Sequence, residues 1–160
     1  MLRDQARELG LCEEWYKGWK RSETQQELID RYYKGIDFCI KHDYPRLEFI
    51  KKTFPKSLLL ENGLFVDENF DASNLRRSVL LGCSKGEMIF YGDISSNVYV
   101  RHQSIVNITA TDGAKVFVET YEDCKVNVFA DEYSKVFVYK HGGEVSPKGN
   151  VVVRNRIAEG

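Results

Sequence analysis

Hydrophobic positions recur with two different spacings along the chain, and the change falls near residue 79. Before it the texture is helical. Leu2, Ala6 and Leu9 recur at three to four residues, and Gly10 ends that short segment. Trp15 and Trp19 are four apart and share a helix face. Ser22 with Gln25 fits a capping box, a hydroxyl followed three residues later by Glu or Gln. Leu28, Ile29, Tyr32, Ile36, Cys39 and Ile40 then fall on one stripe, opposite Glu27, Asp30, Arg31, Lys34 and Asp37. This predicts one helix of about five turns. Tyr44-Pro45 stops it, because a residue before proline avoids the α region. Leu47, Ile50 and Phe54 predict another short helix, ended by Pro55. Residues 56–78 read as a connector, with Asn62-Gly63 and Asp71-Ala72-Ser73-Asn74 as turn signals.

From residue 79 the period is two. The unit is apolar-x-apolar: Val79/Leu81, Met88/Phe90, Val98/Val100, Val106/Ile108, Val116/Val118, Val126/Val128, Val136/Val138 and Val151/Val153. Short β-branched strands at an even step mean a repetitive β structure. The middle residue of successive units reads Tyr99, Asn107, Phe117, Asn127, Phe137, alternating aromatic and Asn. Two strands therefore make one repeat of about 20 residues, as in a β-solenoid whose coil revisits each face once per turn. The predicted class is α+β: a helical cap (1–55), a connector (56–78) and a repetitive β domain (79–160) of about four coils. An antiparallel meander, sandwich or barrel is the alternative. In the solenoid, Val100, Val118 and Val138 form one interior column, and Ile108 and Val128 another.

The same alternation sends the middle residues outward. Tyr99, Phe117 and Phe137 then form an aromatic ladder on one face, and Asn107 and Asn127 stack on another. A row of aromatics on a sheet surface needs a cover. Three covers are open: the N-terminal helices, another subunit or protein, and a sugar or base stacked on the rings. Lys115, Lys125 and Lys135 begin successive units, as a basic ridge or as solvated edge guards.

Composition narrows the class. Hydrophobic residues are 42% and charged residues 29%, as in a globular chain. Lys+Arg is 23 against Asp+Glu 24, a balance that argues against bulk nucleic-acid or anionic-membrane binding. No apolar run is long enough to span a membrane. Asp4, Arg7 and Glu8 interrupt any signal-peptide pattern, which points to the cytoplasm. Cys12, Cys39, Cys83 and Cys124 are widely spaced within apolar-patterned segments, as buried reduced thiols would be; no disulfide is expected among them.

Catalytic signatures are poor: no G-x-S-x-G, H-E-x-x-H, Walker loop or G-x-G-x-x-G occurs. Arg101, His102 and His141 form the one candidate polar site, with Asp93 or Asp123 as possible partners in proton transfer. His141-Gly142-Gly143 reads more simply as a turn with positive-φ glycines. The turn residues Asp93, Asp112, Asp123 and Asp131 lack a D-x-D spacing for calcium. No metal and no cofactor is expected.

The valine-rich short strands resemble the small solenoids of bactofilins and of adhesin head domains, over residues 79–153. The whole chain also resembles small proteins of gut Bacteroidetes and their phages. Gln26-Glu27-Leu28-Ile29-Asp30, Gly35-Ile36-Asp37-Phe38-Cys39-Ile40, Val98-Tyr99-Val100-Arg101-His102 and Tyr139-Lys140-His141-Gly142-Gly143 carry that likeness. Both imply a short β-solenoid, and neither transfers a functional residue. The expected role is a non-enzymatic structural or interaction protein that forms a homo-oligomer through Tyr99, Phe117 and Phe137. The alternatives are an adaptor or inhibitor that binds one host protein, or a glycan-binding module, through the same ladder.

Overall fold

The computed structural model describes residues 2–10 and 24–157. The chain divides into two compact units, Met1–Leu58 and Leu59–Gly160.

Four short helices belong to the first unit: α1 (Leu2–Glu8), α2 (Gln25–Lys34), α3 (Ile36–Lys41) and α4 (Leu47–Thr53). The capping box lies at Thr24 and Glu27. Thr24 Oγ1 accepts from the Glu27 N–H at 3.1 Å, and Glu27 Oε1 accepts from the Thr24 N–H at 3.2 Å. The Ser22 expected at that place, with Trp15 and Trp19, lies outside the described residues. The single five-turn helix is instead two, broken at Gly35, whose N–H closes α2 on the carbonyls of Arg31 and Tyr33. The apolar stripe survives the break. Ile29, Ile36 and Cys39 are buried, and Cys39 packs with Ala6 and Tyr44 against Leu28, Tyr32 and Phe38. The Tyr44-Pro45 peptide is cis.

The stretch 56–78, read from sequence as a connector, holds α5 (Lys56–Glu61), β1 (Leu64–Val66), β2 (Asn69–Ser73) and the start of β3 (Arg77–Leu81). Eight further strands follow: β4 (Lys85–Tyr91), β5 (Ser95–Val100), β6 (Ile105–Thr111), β7 (Lys115–Thr120), β8 (Lys125–Ala130), β9 (Lys135–Lys140), β10 (Glu144–Gly149) and β11 (Val151–Asn155). Odd strands form sheet A, in the order β1-β3-β5-β7-β9-β11, and even strands form sheet B, in the order β10-β8-β6-β4-β2. Every pairing is parallel, which excludes the meander and gives a two-sheet β-solenoid. Val79 pairs with Tyr99 and Phe117 with Phe137, a step of 20 residues. The outer steps are shorter: Leu64 pairs with Val79 and Val138 with Val153, 15 residues apart.

The interior follows from the alternation. Val106, Ile108, Val116, Val118, Val126, Val128, Val136 and Val138 are all buried between the sheets. Ile108 stands in register with Val128, as expected. The other column is corrected by two residues, because Val98, not Val100, stands in register with Val118 and Val138. Val100 aligns with Thr120 instead. The slip has a physical cause. The first inward residue of β5 is Ser96, aligned with Val116, and its buried hydroxyl donates to the Leu75 carbonyl. Small hydroxyl residues also line the corners. Ser84 Oγ donates to the carbonyls of Phe65 and Leu81 at 3.0 and 2.9 Å, and Ser104 Oγ to that of Gly82 at 3.1 Å. Each of these buried hydroxyls thus finds a main-chain acceptor, as buried polar groups do. Near the first coil, Phe65 and Phe70 stack at 3.9 Å, and a Cβ on Gly86 would stand 2.2 Å from the Phe70 carbonyl oxygen. Glycine is required there to let two backbones approach.

Candidate functional site: the outer face of sheet A

Outward positions of sheet A form columns along the solenoid axis. Asn97, Phe117, Phe137 and Val152 make one, and Val79, Tyr99, Glu119, Tyr139 and Arg154 make the next. Phe117 and Phe137 are stacked, with ring centroids 5.6 Å apart and planes 10° from parallel. Tyr99 lies two residues out of register with them, so the three rings do not make one ladder. The cause is the same Ser96 slip: the Val98-Tyr99-Val100 unit is offset from Val116-Phe117-Val118. All three rings are half-buried. Lys135 Nζ sits 5.5 Å from the Phe137 centroid, a cation–π distance. Lys115 shares a column with Lys135, whereas Lys125 lies in sheet B, so the three do not form one ridge.

Burial changes along this face. Val79 and Leu81, outward on β3, are 0% and 1% exposed, while Val153 of β11 is 38% exposed even though it points inward. The solenoid interior therefore opens to solvent at β11.

Beyond the ends of β5, β7 and β9 lies a polar corner. Arg101, Tyr121 and His141 occupy equivalent positions, each N–H donating one coil back, to the carbonyls of Leu80, Val100 and Thr120. Arg101 is 5% exposed and its guanidinium is gripped by Glu122, with Nε–Oε1 3.1 Å and Nη2–Oε2 3.2 Å. A buried guanidinium held by two parallel bonds to a carboxylate is the geometry that offsets its desolvation. His102 Nδ1 accepts from the Gly82 N–H at 2.9 Å, which places the ring proton on Nε2, 3.6 Å from Glu122 Oε2. His102 and Glu122 hold φ of 57° and 56°, in the left-handed region that Gly82 occupies one coil earlier at 68°. His141 Nε2 lies 3.3 Å from Glu119 Oε1, and its ring stacks on Tyr121 at 4.6 Å and 4°.

Arg101 and His102 therefore converge on Glu122, whereas His141 belongs to a neighbouring pair with Glu119. Neither expected aspartate serves as a proton partner in these contacts; Asp123 meets His102 through its main-chain N–H on the His102 carbonyl. Glu122 is occupied by an arginine. No group of three or more His, Cys, Asp or Glu side chains suited to a metal ion occurs among the described residues. Sequence reading missed Glu119, Tyr121 and Glu122. The signal was available: Tyr121-Glu122 follows Arg101-His102 by one 20-residue coil.

The outer face of sheet B has a polar centre, flanked by Ile89 and Phe129, which are 43% and 39% exposed. Asp71, Glu87, Asn107, Asn127 and Ser146 form its central column, and Asn127 Nδ2 donates to Asn107 Oδ1 at 2.9 Å, the expected asparagine stack.

Of the thiols, Cys39 and Cys124 are buried and in no disulfide. Cys83 is free but exposed, against the expectation that every cysteine fills core space, because it sits at the outside of a corner with its N–H on Asp67 Oδ1. Cys12 lies outside the described residues. No helix among the described residues is long and apolar enough to cross a membrane.

Comparison with family models, curated proteins and solved structures found no match, so the fold and the geometry of this face carry the functional reading.

Proposed function

We propose that this chain is a non-enzymatic interaction protein of the cytoplasm that self-associates through the outer face of sheet A. The observation that carries the reading is the stacked Phe117–Phe137 pair, with Tyr99 and Tyr139 beside it on strands whose inner side is buried core, and Val152 next in its column. A rigid sheet holds these rings in place, so an incoming surface orders few side chains on binding. Burying one such ring contributes on the order of 1.5–3 kcal/mol, and a self-complementary patch of several can hold a symmetric oligomer. Cys39, Cys83 and Cys124, none of them in a disulfide, are in keeping with a reducing compartment.

Size-exclusion chromatography with light scattering tests the proposal. The wild type is expected as a homo-oligomer, and Tyr99→Ser with Phe117→Ser and Phe137→Ser as a monomer with unchanged far-UV circular dichroism. A wild-type monomer would move the reading to an adaptor that binds a different protein, or a glycan, through these rings. A triple variant that stays assembled would remove this face as the interface.

A further inference from the structure

In a parallel ladder the N–H and C=O of alternate residues point to opposite neighbours, so the free side of an edge strand can be read residue by residue. In β10, the Glu144 N–H donates to the Cys124 carbonyl and the Asn150 N–H to the Ala130 carbonyl. The even residues therefore face β8, and Val145, Pro147 and Gly149 face the open edge. Proline stands at the middle of that edge, where its missing N–H costs no ladder bond and denies a donor to any incoming strand. In β11, Asn150 O accepts from the Val136 N–H, and the Arg156 N–H donates to the Lys140 carbonyl. Val152 and Arg154 therefore face β9, and Val151, Val153 and Asn155 point N–H and C=O outward. No proline or glycine interrupts these three, and the one charge on the strand is Arg154. Among the described residues no strand pairs with this edge.

The side chains here are apolar inside and basic outside. Val153 is 38% and Ile157 48% exposed, where the interior valine column ends. Arg154 lies on this strand, Arg156 just past its end and Lys140 in register with Asn155 one rung back, and neither β9 nor β11 carries an acid.

We propose that the outer edge of β11 is a strand-addition site for an extended acidic segment of a partner protein. The columns define what the segment carries. Val116, Val136 and Val151 call for an apolar residue on the next rung, as do Val118, Val138 and Val153 inside and Phe117, Phe137 and Val152 outside. The column Glu119, Tyr139, Arg154 calls for a carboxylate. The order is thus three apolar residues followed by an acid, the order that Val116-Phe117-Val118-Glu119 shows within β7. A second copy fits less well. A two-fold pairing of β11 with itself brings the Arg154 side chains within about 7–8 Å as diagonal neighbours. A head-to-tail pairing would have to engage β1, whose three residues are all buried. This inference goes beyond self-association, since it uses the axial edge and not the lateral face.

Fluorescence anisotropy with the full chain tests it. The probe is a labelled peptide Asp-Val-Phe-Val-Glu-Thr-Glu, with its Lys-for-acid counterpart as control. The acidic peptide is expected to bind saturably, at least tenfold tighter than the basic one, and more weakly as salt rises. Val153→Pro removes an outward N–H while sparing every β9–β11 bond, and should lower affinity at least tenfold. Arg154→Glu with Arg156→Glu, both exposed, with circular dichroism to check the fold because Arg156 stands 5.8 Å over the Tyr139 ring, should reverse the preference between the two peptides. Equal binding of both peptides, or full binding by Val153→Pro and by the Glu variant, overturns the proposal. So does a peptide-blind chain whose dimer Val153→Pro dissociates, which would give the edge to a second copy.

Discussion

Sheet A and sheet B are made by the same coils, yet their outer faces hold different chemistry. On sheet B the central column stays polar from Asp71 through Glu87, Asn107 and Asn127 to Ser146. On sheet A the corresponding positions run from buried Val79 and Leu81, through half-buried Tyr99, Phe117 and Phe137, to exposed Arg154 and Arg156. Inside, the environment repeats in every coil, so valine follows valine. Outside, each rung meets its own surroundings, and the repeat no longer dictates the residue. Outward apolar side chains occur on both faces, Ile89 and Phe129 on sheet B among them, and the interaction reading rests on the stacked Phe117–Phe137 pair of sheet A.

The comparison can be broken most sharply by one carboxylate placed on each face. Val79→Asp puts a charge at an outward position that solvent does not reach. An uncompensated buried charge costs about 3–5 kcal/mol. Asn107→Asp puts the same charge on the exposed face of sheet B, where the expected change is within about 0.5 kcal/mol. Urea unfolding of both variants checks the contrast. Equal small effects would mean that the outward side of β3 is solvated and that the two faces are alike.

The inward pattern was legible in the sequence because burial between two sheets leaves little choice: V-x-V units from β6 to β9 identify the strands, and the Phe/Asn alternation identifies the double step. Two things hid the rest. Leu64-Phe65-Val66 is buried on both sides, so it shows no alternation, and the 15-residue step from Leu64 to Val79 breaks the period. Inward serines read as turn residues although Ser78, Ser84, Ser96 and Ser104 are fully buried. Ser96 alone shifted the register by two and put Tyr99 in the wrong column. At the polar corner, Arg101 and His102 were visible as candidates, but Glu122 reads as an ordinary turn acid. Only the coil length reveals that it faces them.

That corner gives a smaller, sharper test of sheet A. Glu122→Gln keeps the shape and removes the charge that grips Arg101 at 3.1 and 3.2 Å. Hydrogen bonds to charged groups contribute about 1.5–3 kcal/mol. Because Glu122 is 37% exposed, solvent screens the pair and the lower part of that range is expected. Asn127→Ala, which breaks the exposed asparagine stack on sheet B, should cost about 0.5 kcal/mol. Thermal unfolding of the two variants in parallel would rank them. A larger loss from Asn127→Ala would place the dominant polar contact on the sheet B face.

The smallest effect is at the thiols where the two sheets meet. Cys124 occupies the corner position held by Ser84 and Ser104 in the two preceding coils, since the Ile105 and Lys125 N–H groups donate to the carbonyls of Ser84 and Ser104. Burial pushes its thiol up to about 11, with the charges of Glu122 and Asp123 adding and main-chain hydrogen bonds opposing. A cysteine in the unfolded chain titrates near about 8.5. Below that pH both states keep the proton, and the site makes stability independent of pH. Above it the unfolded chain loses the proton and the folded chain does not, so unfolding gains and stability falls as pH rises toward 11. Cys124→Ser places there the residue that the earlier coils already use and removes the titration. Its stability should therefore decline less than that of the wild type between pH 8.5 and 11, all other groups being shared. Native-state labelling with a thiol reagent, mapped by peptide mass spectrometry, supplies the second reading: exposed Cys83 should react promptly and Cys124 only on unfolding. Equal labelling, or identical pH profiles for wild type and Cys124→Ser, would mean that solvent enters the corner between the sheets. The distinction between a uniform interior and two divergent faces would then fail at its boundary.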